Sequence, residues 1–411
     1  MVLSFYRRNA WWLGTGMLLT FASSFGQTFF IALFAGGIRA EFGLSNGEWG
    51  GLYTIGTIAS ALLIFQTGRF ADTVPLKRLA IIVLLAFAAS ALLMMGAKHV
   101  AVLALAIFGL RYCGQGMMGL LAMTAVARWF AANRGRAVAV AFIGFPLGEA
   151  VFPFLAVEAQ GFLGWRGVWL AVAVFLVLVI LPVAHILLRH GRTPVGEGAG
   201  EEAVGMGGRH WTRRDVAGHW SFYVLIPGIL AAPFIGTCAF FHQVHIAEVR
   251  GFDLATMALA FPVYAAFSVT TSILAGSLVD RVGPTRILPF FLLPLAGAIS
   301  LLSLPGGVWI WFAVLMGTGV SQGVVMTLMG ALWPTLYGTR WIGSVKSIFS
   351  ALMVFATAAG PGVTGWVIDL GINFPEQALT MSAYCLAISV AYFFVAPRLT
   401  AALGRPAPQA A

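Results

Sequence analysis

Two short charged stretches constrain this chain more than any other feature: residues 68–78 (GRFADTVPLKR) and 276–286 (GSLVDRVGPTR). They lie 208 residues apart, and at that offset Gly68 matches Gly276, Asp72 matches Asp280 and Arg78 matches Arg286. Each fills a polar gap between two long apolar runs. A charged turn that recurs after half the chain marks an internal duplication, and duplicated helical membrane proteins are typically secondary transporters.

The apolar runs set the fold class. Of 411 residues, 60% are apolar and 9% charged, against about 25% charged in a soluble domain. A membrane-spanning helix needs about 20 apolar residues. Twelve such runs are present, near 11–37, 47–67, 77–96, 100–127, 135–158, 166–188, 220–246, 254–275, 285–304, 307–334, 342–368 and 377–396. The expectation is an all-α membrane protein, twelve transmembrane helices in two pseudo-symmetric six-helix bundles. The halves are 1–188 and 219–396, joined by a flexible, glycine-rich cytoplasmic linker at 189–218 and followed by a short cytoplasmic tail at 397–411. Within the linker, 211–219 has the composition of a surface helix.

A net charge of +10 raises the question of a nucleic-acid partner, and its placement answers it. With the N-terminus inside, 19 Lys/Arg fall on the cytoplasmic side and four (Arg39, Lys98, Arg166, Arg250) outside, with Arg111 within a span. This is the positive-inside pattern. Both termini are therefore expected in the cytoplasm of a cell (inner) membrane, and nucleic acid is not expected as a partner. The three cysteines lie in separate spans and offer no disulfide framework or metal spacing. Arg7-Arg8 before an apolar run resembles a signal peptide, but the run is too long and eleven spans follow, so it reads as an uncleaved first helix.

Weaker echoes support the duplication. Phe29-Phe30 with Arg39 reappears as Phe240-Phe241 with Arg250 at an offset of 211, and Gly-Gln-Gly at 114–116 answers Ser-Gln-Gly at 321–323 at 207. The third, sixth, ninth and twelfth spans carry no charge in their middles and suit lipid. Arg111 in the fourth, Glu149 in the fifth, Gln27 in the first and Gln322 in the tenth suit a watery interior, where polar side chains in a bilayer must point.

On these residues the chain resembles the major facilitator superfamily over nearly its whole length. The family's loop between its second and third helices reads G-x-x-x-D-x-x-G-R-[KR]. Gly68, Asp72, Lys77 and Arg78 match it, with Val74-Pro75 departing at the Gly position. Gly276, Asp280, Arg281, Gly283 and Arg286 match it again. Arg134-Gly135-Arg136 and Gly360-Pro361 also fit. The glycine-rich fourth span and its Trp129-Phe130 exit resemble the monocarboxylate and oxalate–formate branch, although 261–275 lacks the charge usual in that branch's eighth helix. The resemblance implies alternating access, a midplane site between rocking halves, and a latch at the repeated loops. Gly68, Asp72, Arg78, Gly276, Asp280, Arg281, Arg286 and Lys346 are then expected gate residues.

Arg111 and Glu149 are the leading functional candidates. A charge at mid-membrane costs about 2.5–3.5 kcal/mol on insertion scales. At 1.5 Å per residue, Arg111 stands roughly 25 Å and Glu149 roughly 22 Å from the cytoplasmic face. They can form a structural ion pair, or Arg111 can hold an anionic group while Glu149 exchanges a proton. Gln115, Gln27, Gln322 and Tyr264 are candidate substrate contacts, or packing bonds between helices. His242, His245 and Glu248 have a spacing compatible with metal or pH sensing, but read as interfacial residues at the outer mouth, and no metal is expected.

Two motifs fail on context. Ser45 in Gly-Leu-Ser-Asn-Gly follows no strand, as a nucleophile elbow requires, and makes a capping box with Glu48. Gly114–Gly119 (GQGMMG) lies inside a span, where glycines permit close helix packing. No catalytic set or nucleotide loop remains, so neither an enzyme nor a cofactor is expected. The reading is a monomeric, proton-coupled symporter or antiporter of a small organic anion; the alternative is efflux of amphiphilic compounds by proton antiport.

Overall fold

The computed structural model describes residues 2–130, 134–189 and 203–403, and among these every regular element is a helix. Ten helical runs are long and apolar enough to cross a membrane. One of them, Arg136–Leu187, has 52 residues and is two spans, divided at Gly164. There the backbone takes φ 67° and ψ 168°, a conformation that glycine alone reaches without steric cost. The ninth span is the irregular one, made of Pro284–Ile287, a run of turns, Leu293–Ser300 and Leu301–Ser303. With it the count reaches twelve.

The chain divides into two compact units. The first lies within Met1–Gly198 and includes Phe240–Pro262 and Pro361–Gly371; the second lies within Ala199–Ala239, Val263–Gly360 and Ile372–Ala411. The C-terminal ends of the seventh and eleventh spans thus belong to the first unit.

The duplication is written into the backbone at a single register. Helix Ala35–Phe42 follows Phe34 (φ −94°, ψ 3°) and ends on left-handed Gly43 (φ 66°, ψ 32°). Helix Gln243–Arg250 follows His242 (φ −92°, ψ 16°) and ends on Gly251 (φ 65°, ψ 31°). Every one of these pairs is 208 residues apart, the offset of the charged loops. Leu44 N–H bonds back to Arg39 C=O and Phe252 N–H to Ala247 C=O, so both ends close with the same Schellman-type turn. Two residues past each glycine the next helix is capped, by Ser45 in a capping box with Glu48 and by Asp253 on Thr256 N–H. The Phe-Phe/Arg echo at 211 is therefore not the structural register. The third span starts at Leu76 and the ninth at Pro284, again 208 apart.

The first span is not continuous. Val2–Ala22 tightens into a 3₁₀ turn at Ser23–Gly26, Gln27 is extended (φ −83°, ψ 156°), and helix resumes at Thr28. At this break Gly26 meets Gly114 of the fourth span so closely that a Cβ on Gly114 would stand 2.7 Å from Gly26 Cα and 2.5 Å from Phe87 Cζ. Gly148 and Gly144 of the fifth span sit as tightly against Ser24 and Thr20. Small residues thus bring three helices to backbone contact, as the GQGMMG reading expects. Phe25, Phe30 and Phe152 fill the space beside them, with Trp169 edge-on to Phe30.

In the second unit Gly319 and Gly323 of the tenth span pack on the backbone of Tyr264 and Ser268. Tyr392 of the twelfth span donates to Leu225 C=O at 2.6 Å and accepts from Gly228 N–H. The described end of the linker is not a free tether. Trp211 N–H bonds Tyr337 C=O, Thr339 N–H bonds Ala203 C=O, and Gly205 lies against the backbone of Leu336 and Tyr337. The expected surface helix is Arg213–Ala217, opened by a Thr212/Asp215 capping box. The Thr212 hydroxyl and N–H hold the Asp215 carboxyl below its usual range. The expected tail from 397 is helical as far as Leu403, and its remainder lies outside the described residues.

The glycine contacts yield a graded expectation. Gly114→Val forces backbone against backbone, and its product is expected to be lost as a monodisperse species in size-exclusion chromatography. Gly119→Ala adds a Cβ that meets nothing nearer than 3.7 Å, and is expected to keep the parent profile and melting temperature.

Candidate functional site

The geometry centres on Arg111, the first residue of a π-helical stretch, Arg111–Met118, in the fourth span. Such widened turns carry an extra residue and recur at functional sites. Arg111 is 1% exposed. Its Nη1 donates to Gly26 C=O at 3.0 Å, the carbonyl freed by the break in the first span. Its Nε donates to Thr57 Oγ1 at 3.1 Å. The guanidinium stands 5.0 Å from the centre of the Tyr53 ring, whose hydroxyl is fixed by Thr28 Oγ1 at 2.5 Å. The third nitrogen, Nη2, is buried without a hydrogen-bond partner among the described residues. Buried polar groups are nearly always paired, and this one carries part of a full positive charge.

The ion pair with Glu149 is not formed. Arg111 turns instead to the first and second spans. The π-helical stretch changes both rise and facing between Arg111 and the Trp129 end of the fourth span, so matching depth on a regular helix does not bring the two charges together. Glu149, on Gly144–Phe175, is half-buried and makes no hydrogen bond or ion pair among the described residues.

Gln115 lies in the same π-helical stretch, half-buried, with no side-chain hydrogen bond among the described residues. Gln27 is the extended residue of the break, and its Nε2 reaches Ser23 Oγ only at 3.5 Å. Arg111, Gln115, Gln27 and Glu149 thus belong to the first unit. Tyr264 and Gln322 belong to the second, Tyr264 buried and Gln322 exposed.

The expected gate residues sit at turns. Gly68 ends the second span, and Arg78 is exposed in the first turn of Leu76–Gly96. Asp72 lies in the short helix Phe70–Thr73, and its side chain is outside the described part of the structure. Gly276 and exposed Asp280 and Arg281 lie in Phe261–Val282, and Arg286 is exposed just beyond. Asp280, Arg281 and Arg286 make no ion pair among the described residues. Lys346 is half-buried near the start of Ile342–Asp369.

His242 and His245 are buried: His242 Nε2 shares a hydrogen bond of 2.8 Å with Thr364 Oγ1, and His245 is covered. No three His, Cys, Asp or Glu side chains converge among the described residues. Nearby, three polar contacts went unread in the sequence. Gln243 Nε2 donates to Phe29 C=O at 2.8 Å, Arg39 lies 3.8 Å from Glu248, and the Asp369 carboxylate accepts from Asn46 and Gly47 N–H at 3.1 and 2.8 Å. The last places a negative group on the N-terminus of the second span, where the helix dipole favours it. Thr57 and Tyr53, which hold Arg111, were also missed. Only the small and polar run Ser23-Ser24-Phe25-Gly26-Gln27 in a greasy span signalled that a break needing donors lay nearby.

The sequence model of the Major Facilitator Superfamily matches residues 16–361. Among solved structures, a bacterial homologue of the human lysosomal transporter Spinster, inward-facing and occupied, has a TM-score of 0.69 at 19% identity, over 96% of this chain and 97% of that one. Its unoccupied form gives 0.70 at 17% identity, over 97% and 99%. The nucleoside transporter NupG gives 0.68 at 13% identity, over 93% and 98%. A search of curated proteins returned no match. With twelve spans, a backbone duplicated at 208 residues and a family match over most of its length, the chain belongs to the major facilitator superfamily.

Proposed function

We propose that this transporter carries a small organic anion, coupled to protons, by alternating access, as a monomer in the cell membrane with both termini in the cytoplasm. The observation that supports the anion is Arg111 Nη2, a charged donor buried in a span with no acidic partner among the described residues. Neutral acceptors offset a desolvated charge of this kind only in part, and an opposite charge offsets it more fully. A substrate carboxylate supplies that opposite charge, and Arg111 stays protonated at any relevant pH. An uncharged substrate such as a nucleoside would leave the charge uncompensated, which sets the reading apart from NupG despite the shared fold.

In this proposal Thr57 and Gly26 fix two faces of the guanidinium so that the remaining N–H groups point to the anion, and Tyr53 closes over its plane. Gln115, Gln27, Gln322 and Tyr264 supply neutral hydrogen bonds. Glu149, untied and within the same unit, takes and releases the proton. The repeated loops act as inner gates, with the Asp72 and Asp280 carboxylates and the basic residues beside them, including Lys346, engaging in the inner-closed state.

In proteoliposomes, Arg111→Ala and Arg111→Lys are both expected to lose uptake of radiolabelled carboxylates, since lysine lacks the fork that also serves Thr57 and Gly26. Undiminished carboxylate transport by either, or transport only of amphiphilic dyes by the parent, overturns the anion reading. Glu149→Gln is expected to lose accumulation driven by a pH gradient while retaining substrate exchange; unchanged pH-driven accumulation removes Glu149 from the coupling. Thr57→Val leaves Arg111 Nε without its acceptor and is expected to cost about 1–3 kcal/mol of stability, read as a lowered melting temperature.

A further inference from the structure

We propose that the second unit carries a binding site for an anionic phospholipid, in a groove between the ninth and twelfth spans at the end of the molecule that bears the basic loops. The groove encloses about 550 Å³. One wall is a single face of the helix Phe374–Leu403: Phe393, Ala396, Pro397, Thr400 and Ala401, spaced i, i+3, i+4, i+7 and i+8 as one stripe. Three of these five are Ala or Pro, so the stripe is a shallow trough rather than a ridge.

The opposite wall exists because the ninth span is broken. Arg286, Pro289 and Phe290 line it. Pro289 has no N–H to donate and disfavours helix, and from Leu288 to Leu292 the chain runs through turns before helix resumes at Leu293. The third span, its counterpart in the duplicated half, is unbroken from Leu76 to Gly96. At the register of 208 residues, Ile81 and Ile82 stand where Pro289 and Phe290 do. The break that forms this wall is thus a departure from the repeat, absent from the third span. The rim of the groove is pinned by a hydrogen bond of 2.8 Å between Thr285 and Thr400. Beside the lining residues Phe290 and Phe393, Phe291 and Tyr392 stack on each other, and Tyr392 donates to Leu225 C=O.

The chemistry is graded along the groove. Phe393 lies eight residues before Ala401, or about 12 Å deeper in the membrane along a straight helix, and Phe290 faces the groove from the other wall, both rings largely exposed. At the shallow end is Arg286, exposed and without a hydrogen bond or ion pair among the described residues. Arg281 and Arg398 are exposed at the same end. A cation at headgroup depth above an aromatic trough in the hydrocarbon matches one molecule in charge and polarity: a lipid with an anionic phosphodiester on Arg286 and an acyl chain along Phe290 and Phe393. Basic pockets between helices on the cytoplasmic side hold such headgroups, and positive-inside charge puts this end there.

The test is native mass spectrometry of the full chain, delipidated and then titrated with phosphatidylglycerol or phosphatidylcholine of identical acyl chains. The parent is expected to retain one phosphatidylglycerol under conditions that strip phosphatidylcholine. Arg286→Gln is expected to lower that occupancy about tenfold, the factor for one lost ionic contact of ordinary strength, and Ala401→Trp, which fills the trough and leaves the charge, is independently expected to lower it by excluding the acyl chain. Arg398→Gln, outside the groove lining, is expected to leave it unchanged. Equal retention of the two lipids, or parent-level occupancy in both Arg286→Gln and Ala401→Trp, overturns the proposal. So does displacement of the lipid by inorganic phosphate alone, which would assign Arg286 to a free anion. Each readout is independent of transport, so failure here leaves the reading of Arg111 untouched, and the reverse.

Discussion

In a bilayer every backbone carbonyl needs a donor from the protein, because no water is at hand to supply one. The first span breaks this rule in the middle and is then repaired. Its helix stops at Gly26 and restarts after Gln27, releasing carbonyls that a continuous helix would have bonded. Arg111, from the fourth span, meets that need at Gly26, and Gln243 bonds the Phe29 carbonyl just past the restart. The backbone contact between Gly26 and Gly114 brings Arg111 close enough to do so, and the π-helical stretch aims it. Break, glycine contact and arginine form one arrangement, and removing any of them leaves the others unsatisfied.

That arrangement is absent from the second copy. At the register of 208 residues Arg111 corresponds to Gly319, Glu149 to Thr357 and Gln27 to Ile235. Duplication kept what the backbone needs: the left-handed glycines, the caps after them and the helix starts at Leu76 and Pro284. It did not keep Arg111 or Glu149. Charged chemistry in a span is costly, so its presence in one half only is more informative than its presence in both. The first half carries the ionic groups, whereas the second offers Tyr264 and Gln322, which are neutral.

The fold was legible because it rests on signals that survive in one sequence. Apolar run lengths gave eleven of the twelve spans with little error, and the recurrence of Gly68, Asp72 and Arg78 gave the duplication. The ninth span was legible as an apolar run but not as an irregular helix, although Pro289 and Pro294 were there to be weighed. Ser45 with Glu48 was readable because a capping box is local. The partners of Arg111 were not, because Thr57 and Gly26 lie 54 and 85 residues away in the chain, and no spacing rule links them. Counting rise from the cytoplasmic end placed Arg111 opposite Glu149 only while the helix was taken as regular. A π-helical turn has no reliable sequence signature, and eight residues of it were enough to redirect the side chain.

This redirection changes the meaning of both charges. Had they paired, each would have neutralised the other, and the simplest account would have been structural, since buried pairs gain little over apolar packing. Unpaired, they are not explained by stability: neither has an opposite charge among the described residues to offset its desolvation. Arg111 recovers part of that cost through Gly26 and Thr57, which are neutral and leave its charge intact. Glu149 recovers none through hydrogen bonds among the described residues. A carboxyl group lowers its own cost by holding a proton, and an arginine cannot lower its cost by losing one. In the proposed function the two residues therefore take different partners, a proton for Glu149 and an anion for Arg111, and that difference is what would couple them.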